Sequence, residues 1–133
     1  MCFIADEIES SGADLVINFY DILTGMAYLF LSLSVPYVCI GHQYLFMHEA
    51  FEFPHGKYLS RMGLLFFTRL TCMRATRKLA LSFRRLPDDM SHDIKVVPPL
   101  LRREVKRLKA SKGDFVHGYM VNAGFGENIM AWH

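Results

Sequence analysis

Residues 14–43 read DLVINFYDILTGMAYLFLSLSVPYVCIGHQ, and the predicted fold follows from their pattern of apolar residues. Residues 14–19 and 36–41 are short, continuously apolar runs, as expected of strands buried on both faces of a parallel sheet. Between them, apolar residues recur at helical spacing over 22–33, and Asp21 stands at the expected N-cap position. The stretch therefore predicts a strand, a helix and a second strand.

The same alternation continues along the chain. Helical spacing returns over residues 59–74, and strand-like runs occupy 78–82 and 94–97. A basic amphipathic helix over 100–109 and a strand over 115–121 follow. Strands that alternate with helices through short connections pair in parallel with right-handed crossovers. The predicted fold is α/β, with a mostly parallel Rossmann-like sheet.

Composition excludes several classes of protein. With 52% hydrophobic residues and a mean hydropathy of +0.18, the 133-residue chain is not of the disordered class. Its net charge of only +2 does not create the positive electrostatic field that a nucleic-acid-binding protein uses to attract its ligand. The three cysteines lack metal-ligand spacing, which favours reduced thiols in the cytoplasm. Basic residues crowd residues 61–112, and such a face suits a phosphate ligand or a membrane surface.

Residues 22–40 contain no charged side chain and are close to the roughly 20 residues that a bilayer span requires. A single-span membrane protein is therefore an alternative. Pro36 inside the run, and Ser32 and Ser34 along it, favour a buried helix followed by a strand over a single span. A buried helix and strand of a parallel sheet have the same hydropathy as a membrane span.

Four segments in order carry a family resemblance: DLVINFYD at 14–21, PYVCIGHQ at 36–43, KLALSF at 78–83 and KVVPPLLR at 95–102. They resemble a bacterial and archaeal glycosyltransferase family, similar to family 28, that is related to the GlcNAc transferase making lipid II. Those enzymes have two Rossmann-like domains facing a cleft, the GT-B architecture. The Gly-His-Gln and Pro-Pro-Leu-Leu-Arg motifs are the most specific parts of the resemblance.

The resemblance implies an organisation into two parts. Residues 1–97 would be the second half of the N-terminal, acceptor-side domain, and 98–133 the interdomain helix with the first strand and helix of the donor-side domain. The chain lacks the family's glycine-rich first turn and its later uridine-binding motifs. The expectation is therefore an internal fragment that is inactive by itself.

The activity implied is an inverting, metal-independent transfer of a sugar from a nucleotide-diphospho-sugar, UDP-linked, to a saccharide or lipid-linked acceptor. No cofactor is expected. Inverting transfer needs a base near the acceptor hydroxyl and positive charge or amide dipoles at the departing diphosphate. The family's candidate base lies in the missing first turn, so no catalytic residue is assigned. A Rossmann-like binding module without chemistry is the other alternative.

Three residues are candidates for the acceptor side of the cleft. His42 and Gln43 follow a predicted parallel strand at its carboxyl end, where ligand clefts form, and could position acceptor or sugar. Pairing of His42 with loop backbone is the alternative. The family places an acidic residue at the position of Asp21, lining the cleft, and simple helix capping is the alternative.

Arg102, Gly124 and Gly126 are candidates for binding the donor diphosphate. Arg102 matches the arginine that follows the family's interdomain segment, where a guanidinium could grip diphosphate bidentately. A solvated basic helix shared with Arg103 is the alternative. The two glycines precede a predicted helix and could present amides to phosphate, although they also suit a tight turn.

An aromatic cluster follows the second predicted strand and could form a lip for lipid or sugar, or pack over a sheet edge. Its members are Tyr44, Phe46, Phe51, Phe53 and Tyr58. With the basic surface it motivates the hypothesis of peripheral contact with the inner face of the membrane.

Overall fold

The computed structural model describes residues 2–115 together with Gly126, Met130 and Ala131, and the chain divides into two compact units, 1–100 and 101–133. The elements of the first unit are α1 (Cys2–Ser10), β1 (Val16–Asn18), α2 (Ile22–Phe30), β2 (Tyr37–Gly41), a 3-10 helix (His42–Met47), α3 (Tyr58–Thr71), β3 (Arg77–Leu81) and β4 (Ile94–Val97). The second unit contains α4 (Arg103–Arg107).

The four strands form one sheet in the order β1-β2-β3-β4, and every neighbouring pair is parallel. Val16 lies opposite Tyr37, and Lys78 lies opposite Ile94. The predicted α/β class and parallel sheet are confirmed. Because each strand pairs with the next one along the chain, right-handed crossovers all step in one direction and place the connecting helices on one face.

The core lies between the helices and the face of the sheet that they cover. Tyr37 and Cys39 of β2, Ala80 of β3 and Ile94 of β4 are buried there. The Tyr28 ring of α2 stacks on Tyr37 at 4.0 Å between ring centroids. The Tyr37 hydroxyl donates to the Met73 carbonyl, and burial raises the pKa of Tyr37 far above its usual range, so the phenol stays a neutral donor.

A buried asparagine joins three elements. The Asn18 amide nitrogen donates to the Thr71 carbonyl at 2.8 Å and to the Asp21 carbonyl at 3.0 Å. Its amide oxygen accepts from the Asp21 backbone N–H at 2.7 Å. A buried amide is costly unless its groups are paired. Asn18 therefore ties the end of β1 to the last turn of α3 and to the start of α2.

The prediction that the strands are buried on both faces is wrong for the first one. Ile17 is 51% exposed and Phe19 is 64% exposed, whereas Asn18 between them is buried. The cause is the strand order, which places α2 and α3 together on the face to which Asn18 and Cys39 project. Within the described residues, the opposite face of β1 is left open.

Residues 22–40 are not one long helix. α2 stops at Phe30 because Leu31 takes extended backbone, at φ −116° and ψ 141°, and residues 37–41 form β2. No helix within the described part of the chain is long and apolar enough to cross a membrane. The single-span alternative therefore does not describe this segment.

Two further boundaries differ from the sequence predictions. The basic helix is confined to Arg103–Arg107 and is shorter than the 100–109 predicted, since Leu108 takes extended backbone. Of the strand predicted over 115–121, only Phe115 is described, and it lies in a bend. Residues 116–121 and Gly124 lie outside the described residues.

We expect Gly25→Ala to lower the free energy of unfolding by about 2–3 kcal/mol, since a core with no room must shift to admit a methyl group. A Cβ at Gly25 would clash with the Leu70 carbonyl oxygen and lie 2.8 Å from the Thr71 carbonyl carbon. Gly63→Ala in α3 is the control, because nothing lies within 4 Å of the added Cβ. Gly63→Ala should raise the free energy of unfolding by about 0.5–1 kcal/mol. Urea unfolding measures both, and equal effects would contradict the close approach at Gly25.

Candidate functional site

Polar loop residues gather at the carboxyl edge of the sheet. Parallel strands end at one edge, where α/β proteins bind ligands. Asp21 follows β1, His42 and Gln43 follow β2 directly, and Arg84 follows β3. β1 and β2 are parallel, so the segments that follow them leave the sheet at the same edge. The structure thus brings the candidate residues of the first unit to the same edge.

Asp21 acts here as a helix cap. One of its carboxylate oxygens accepts from the Thr24 backbone N–H and from the Thr24 hydroxyl, both at 2.7 Å. Burial raises the pKa of Asp21, but the hydrogen bonds from Thr24 and Leu23 outweigh it, and the net pKa is lowered. The carboxylate is therefore ionised at neutral pH and is engaged at the α2 N-terminus. His42 is exposed at the start of the 3-10 helix, and Gln43 beside it is half-buried.

A cavity of about 490 Å³ opens between the loop after β2 and the loop after β3. It is lined by Leu45, His48, Ala50, Phe51, Glu52, Ser82, Arg84 and Leu86. These residues come from two segments, 45–52 and 82–86, that are joined by the pairing of β2 with β3. Asp21, His42 and Gln43 are not among the lining residues.

The cavity walls are fixed by a buried histidine. His48 is buried, and its Nδ1 accepts from the Ala50 backbone N–H at 3.0 Å. Its Nε2 lies 2.9 Å from the Pro87 carbonyl, to which it must donate. Both ring nitrogens are thus used for structure, which assigns the Nε2-protonated tautomer. His48 joins the loop after β2 to the loop after β3.

Asp89 makes a second connection between the same two loops. Its carboxylate accepts from the Glu49 backbone N–H at 2.9 Å, from the backbone N–H and hydroxyl of Ser91, and from the backbone N–H of His92. The His92 Nδ1 lies 2.8 Å from the second carboxylate oxygen. Burial alone raises the pKa of Asp89, but these hydrogen bonds outweigh it and hold the pKa well below its usual range.

The cavity combines groups that suit a hydroxyl-rich ring or a phosphate. Phe51 supplies an aromatic wall, and Glu52 and Arg84, both exposed, supply an acceptor and a forked donor. The Ser82 hydroxyl donates to the Arg84 carbonyl at 2.7 Å and accepts from the Arg84 N–H at 3.1 Å. This turn fixes the backbone from which the Arg84 side chain extends.

The predicted aromatic cluster divides into separate parts. Phe46, Phe51 and Phe53 pack edge-to-face or tilted, with centroids 5.1 Å apart for Phe46 and Phe51 and 4.8 Å for Phe51 and Phe53. Tyr44 belongs to the core, where it is fully buried. Tyr58 is exposed at the start of α3. Of the predicted cluster, only Phe51 lines the cavity.

The candidates for donor binding belong to the second unit. Arg102 is exposed, occupies the N-cap position of α4 and makes no side-chain capping hydrogen bond. Gly126 is described, and an added Cβ there would meet nothing within 4 Å. Among the described residues, no group of three or more His, Cys, Asp or Glu side chains could hold a metal ion.

Sequence reasoning missed His48, Ser82 and Arg84. A signal for the last two existed, because KLALSF is followed by Arg84 and Arg85 at the carboxyl end of a predicted parallel strand. No local signal marks His48, because its partner Pro87 becomes a neighbour only after folding.

No protein-family model, curated protein or solved structure matches the chain. The resemblance to the glycosyltransferase family therefore remains a prediction from the residues that carry it.

We expect Asp89→Asn to lower the free energy of unfolding by about 2 kcal/mol at pH 7, because buried donors lose their acceptor. Since the folded-state pKa lies below the unfolded value of about 3.9, the carboxylate stabilises the fold fully at higher pH. That contribution is lost as the pH falls below this value. The difference between wild type and variant should therefore shrink from pH 6 to pH 3 in urea unfolding.

Asp93→Asn is the matched control for this experiment. Asp93 is exposed and pairs only with Arg77, at 3.5 Å. An exposed pair contributes little, so a change under about 0.5 kcal/mol is expected. If both variants behaved alike, Asp89 would not be the connection between the two loops.

Proposed function

We propose that the chain is a fragment of an inverting, metal-independent glycosyltransferase that uses a nucleotide-diphospho-sugar, UDP-linked, as donor. The fragment comprises part of the acceptor-side domain and the start of the donor-side domain. The observation that carries the proposal is the cavity at the carboxyl edge of an all-parallel sheet, bordered by Phe51, Glu52 and Arg84. The order of the Gly-His-Gln and Pro-Pro-Leu-Leu-Arg motifs supports the family, which resembles family 28 and has the GT-B architecture.

In this proposal the cavity receives the acceptor. An aromatic wall packs against the faces of a sugar ring, while Glu52 and Arg84 hydrogen-bond to hydroxyls or to an acceptor phosphate. His42 and Gln43, which follow β2 at the same edge, would position the acceptor or the sugar. The acceptor is a saccharide or a lipid-linked saccharide, and the enzyme works in the cytoplasm at the inner face of the membrane.

In this proposal, residues of the second unit bind the donor diphosphate. Arg102 would neutralise the charge that develops on the leaving diphosphate, and the backbone at Gly124 and Gly126 would present amides to it. No residue of this chain is assigned as the base.

The test of catalysis is UDP release from UDP-sugars by the chain together with any sequence that its gene encodes on either side. We expect Arg102→Ala to lower kcat/KM about tenfold or more, since an ionic hydrogen bond to the leaving group is lost. Arg103→Ala, one residue along, should stay within about twofold. Equal losses would remove the assignment of Arg102, and no release from any UDP-sugar would favour the binding-module alternative.

The cavity is tested by its own pair of variants. Arg84→Gln should raise KM for the acceptor about tenfold with kcat nearly unchanged, because uniform binding is lost. Arg85→Gln removes the same charge from an exposed residue that does not line the cavity. Nuclear magnetic resonance titration with acceptor should shift amides at 45–52 and 82–86. Shifts confined to other parts of the chain would place the acceptor elsewhere.

A further inference from the structure

A lysine lies on the face of the sheet that the helices cover. Lys78 precedes Ala80 of β3 by two residues, so both side chains project to that face. In the register of the sheet, Lys78 lies between Cys39 of β2 and Ile94 of β4, and both of these neighbours are buried. Lys78 itself is half-buried. Removing a charge from water is costly unless the charge is paired.

Lys78 has no acidic partner within the described part of the chain. The ion pairs there join Arg77 to Asp93 and His92 to Asp89. No buried side-chain nitrogen among these residues is left without a hydrogen bond, so the Lys78 ammonium must reach the surface. The fold therefore holds a cation on its core-facing side with no counter-charge from the protein.

A pocket of about 270 Å³ opens beside Lys78 at the C-terminal end of α3. Its other lining residues are Arg69, Arg74, His92, Cys72 and two methionines, and no Asp or Glu lines it. Burial raises the pKa of the Cys72 thiol, and the positive charges of Lys78 and Arg69 oppose this effect. The two cations therefore lie near the same sulfur atom, although one comes from a strand and the other from a helix.

The surroundings of the pocket leave its positive charge uncancelled. Asp89, the partner of His92, is buried, and its carboxylate already accepts from the Glu49 backbone N–H and from the Ser91 hydroxyl. A helix C-terminus carries a partial charge of only about −0.5, against three permanent cations here. A phosphoryl group carries about −1.5 to −2 charges at pH 7 and three acceptor oxygens, which matches these cations.

We propose that this pocket binds a phosphoryl group, as inorganic phosphate or as a small phosphomonoester, through Arg69, Arg74 and Lys78. The two guanidinium groups supply forked donors, and the Lys78 ammonium supplies a point charge from the sheet. The volume is below the roughly 300–1,000 Å³ of pockets for drug-sized ligands, which favours a small anion. The inference goes beyond sugar transfer, because no residue lines both this pocket and the acceptor cavity.

Titration of the full chain with phosphate tests the proposal. In about 0.15 M salt, which screens exposed charges, inorganic phosphate should shift the amides of residues 69–78 and of His92 in nuclear magnetic resonance spectra. Glucose 6-phosphate should shift the same amides, and glucose should not. Binding of glucose 6-phosphate about tenfold more tightly than phosphate would assign a phosphomonoester, and similar affinities would assign free phosphate.

Lys78→Met separates binding from folding. The variant should bind phosphate about tenfold more weakly, since an ionic hydrogen bond is lost. Its melting temperature should equal or exceed that of the wild type, because an unpaired charge leaves the core-facing side of the sheet. Lys95→Met in β4 is the matched control: Lys95 is exposed and outside the pocket, so the affinity should change by less than about twofold.

Arg74→Gly gives a second variant that keeps the fold. Arg74 has φ +62°, a left-handed conformation that favours glycine. The substitution should therefore preserve the melting temperature, measured by circular dichroism. It should weaken phosphate binding about fivefold, because one guanidinium is lost.

Three results would overturn the proposal. Equal losses of affinity in Lys78→Met and Lys95→Met would show attraction to the net charge of the chain and not to a site. Amide shifts at 82–86 in place of 69–78 would move the phosphate to the acceptor cavity. A lower melting temperature of Lys78→Met with full phosphate affinity would make Lys78 a structural residue. UDP release is not part of these measurements, so their failure leaves the proposed sugar transfer untouched.

Discussion

The last turn of α3 is the constraint on which the first unit depends. The Thr71 carbonyl accepts from the Asn18 amide at 2.8 Å, and the Cys39 thiol lies 3.6 Å from the same oxygen. Gly25 of α2 packs directly against the backbone of this turn, where a Cβ would clash with Leu70 and Thr71. β1, β2 and α2 are therefore all positioned against one peptide group, and a change there displaces three elements together.

The polar edge of the sheet follows from that arrangement. Because Asn18 holds the Asp21 backbone, the Asp21 carboxylate is placed to cap α2. The loop after β1 contacts the 3-10 helix after β2 through Tyr20 and Tyr44, whose ring centroids lie 5.7 Å apart. The cavity beside it depends on different bonds, made by His48 and Asp89 across the loops after β2 and β3. The capping groups and the cavity groups are thus fixed independently.

The strand order also explains the unusual surface. With all neighbouring strands paired in sequence order, the helices share one face, and apolar groups such as Ile17 keep contact with solvent on the other. The outer face of α3, where Leu59 and Phe66 are exposed, is a second apolar surface.

Local sequence is enough to predict the alternation of strands and helices, the break of the apolar run before Pro36 and the cap at Asp21, because these depend on local periodicity and on backbone groups a few residues away. Local sequence does not predict which strand faces stay open, that Tyr44 enters the core while Phe51 borders a cavity, or that Leu59 points to solvent. These outcomes depend on the direction of the crossovers and on contacts between distant segments, such as His48 with Pro87. A repeat of apolar residues shows that one face of an element is apolar, but what lies against that face is set by the rest of the chain.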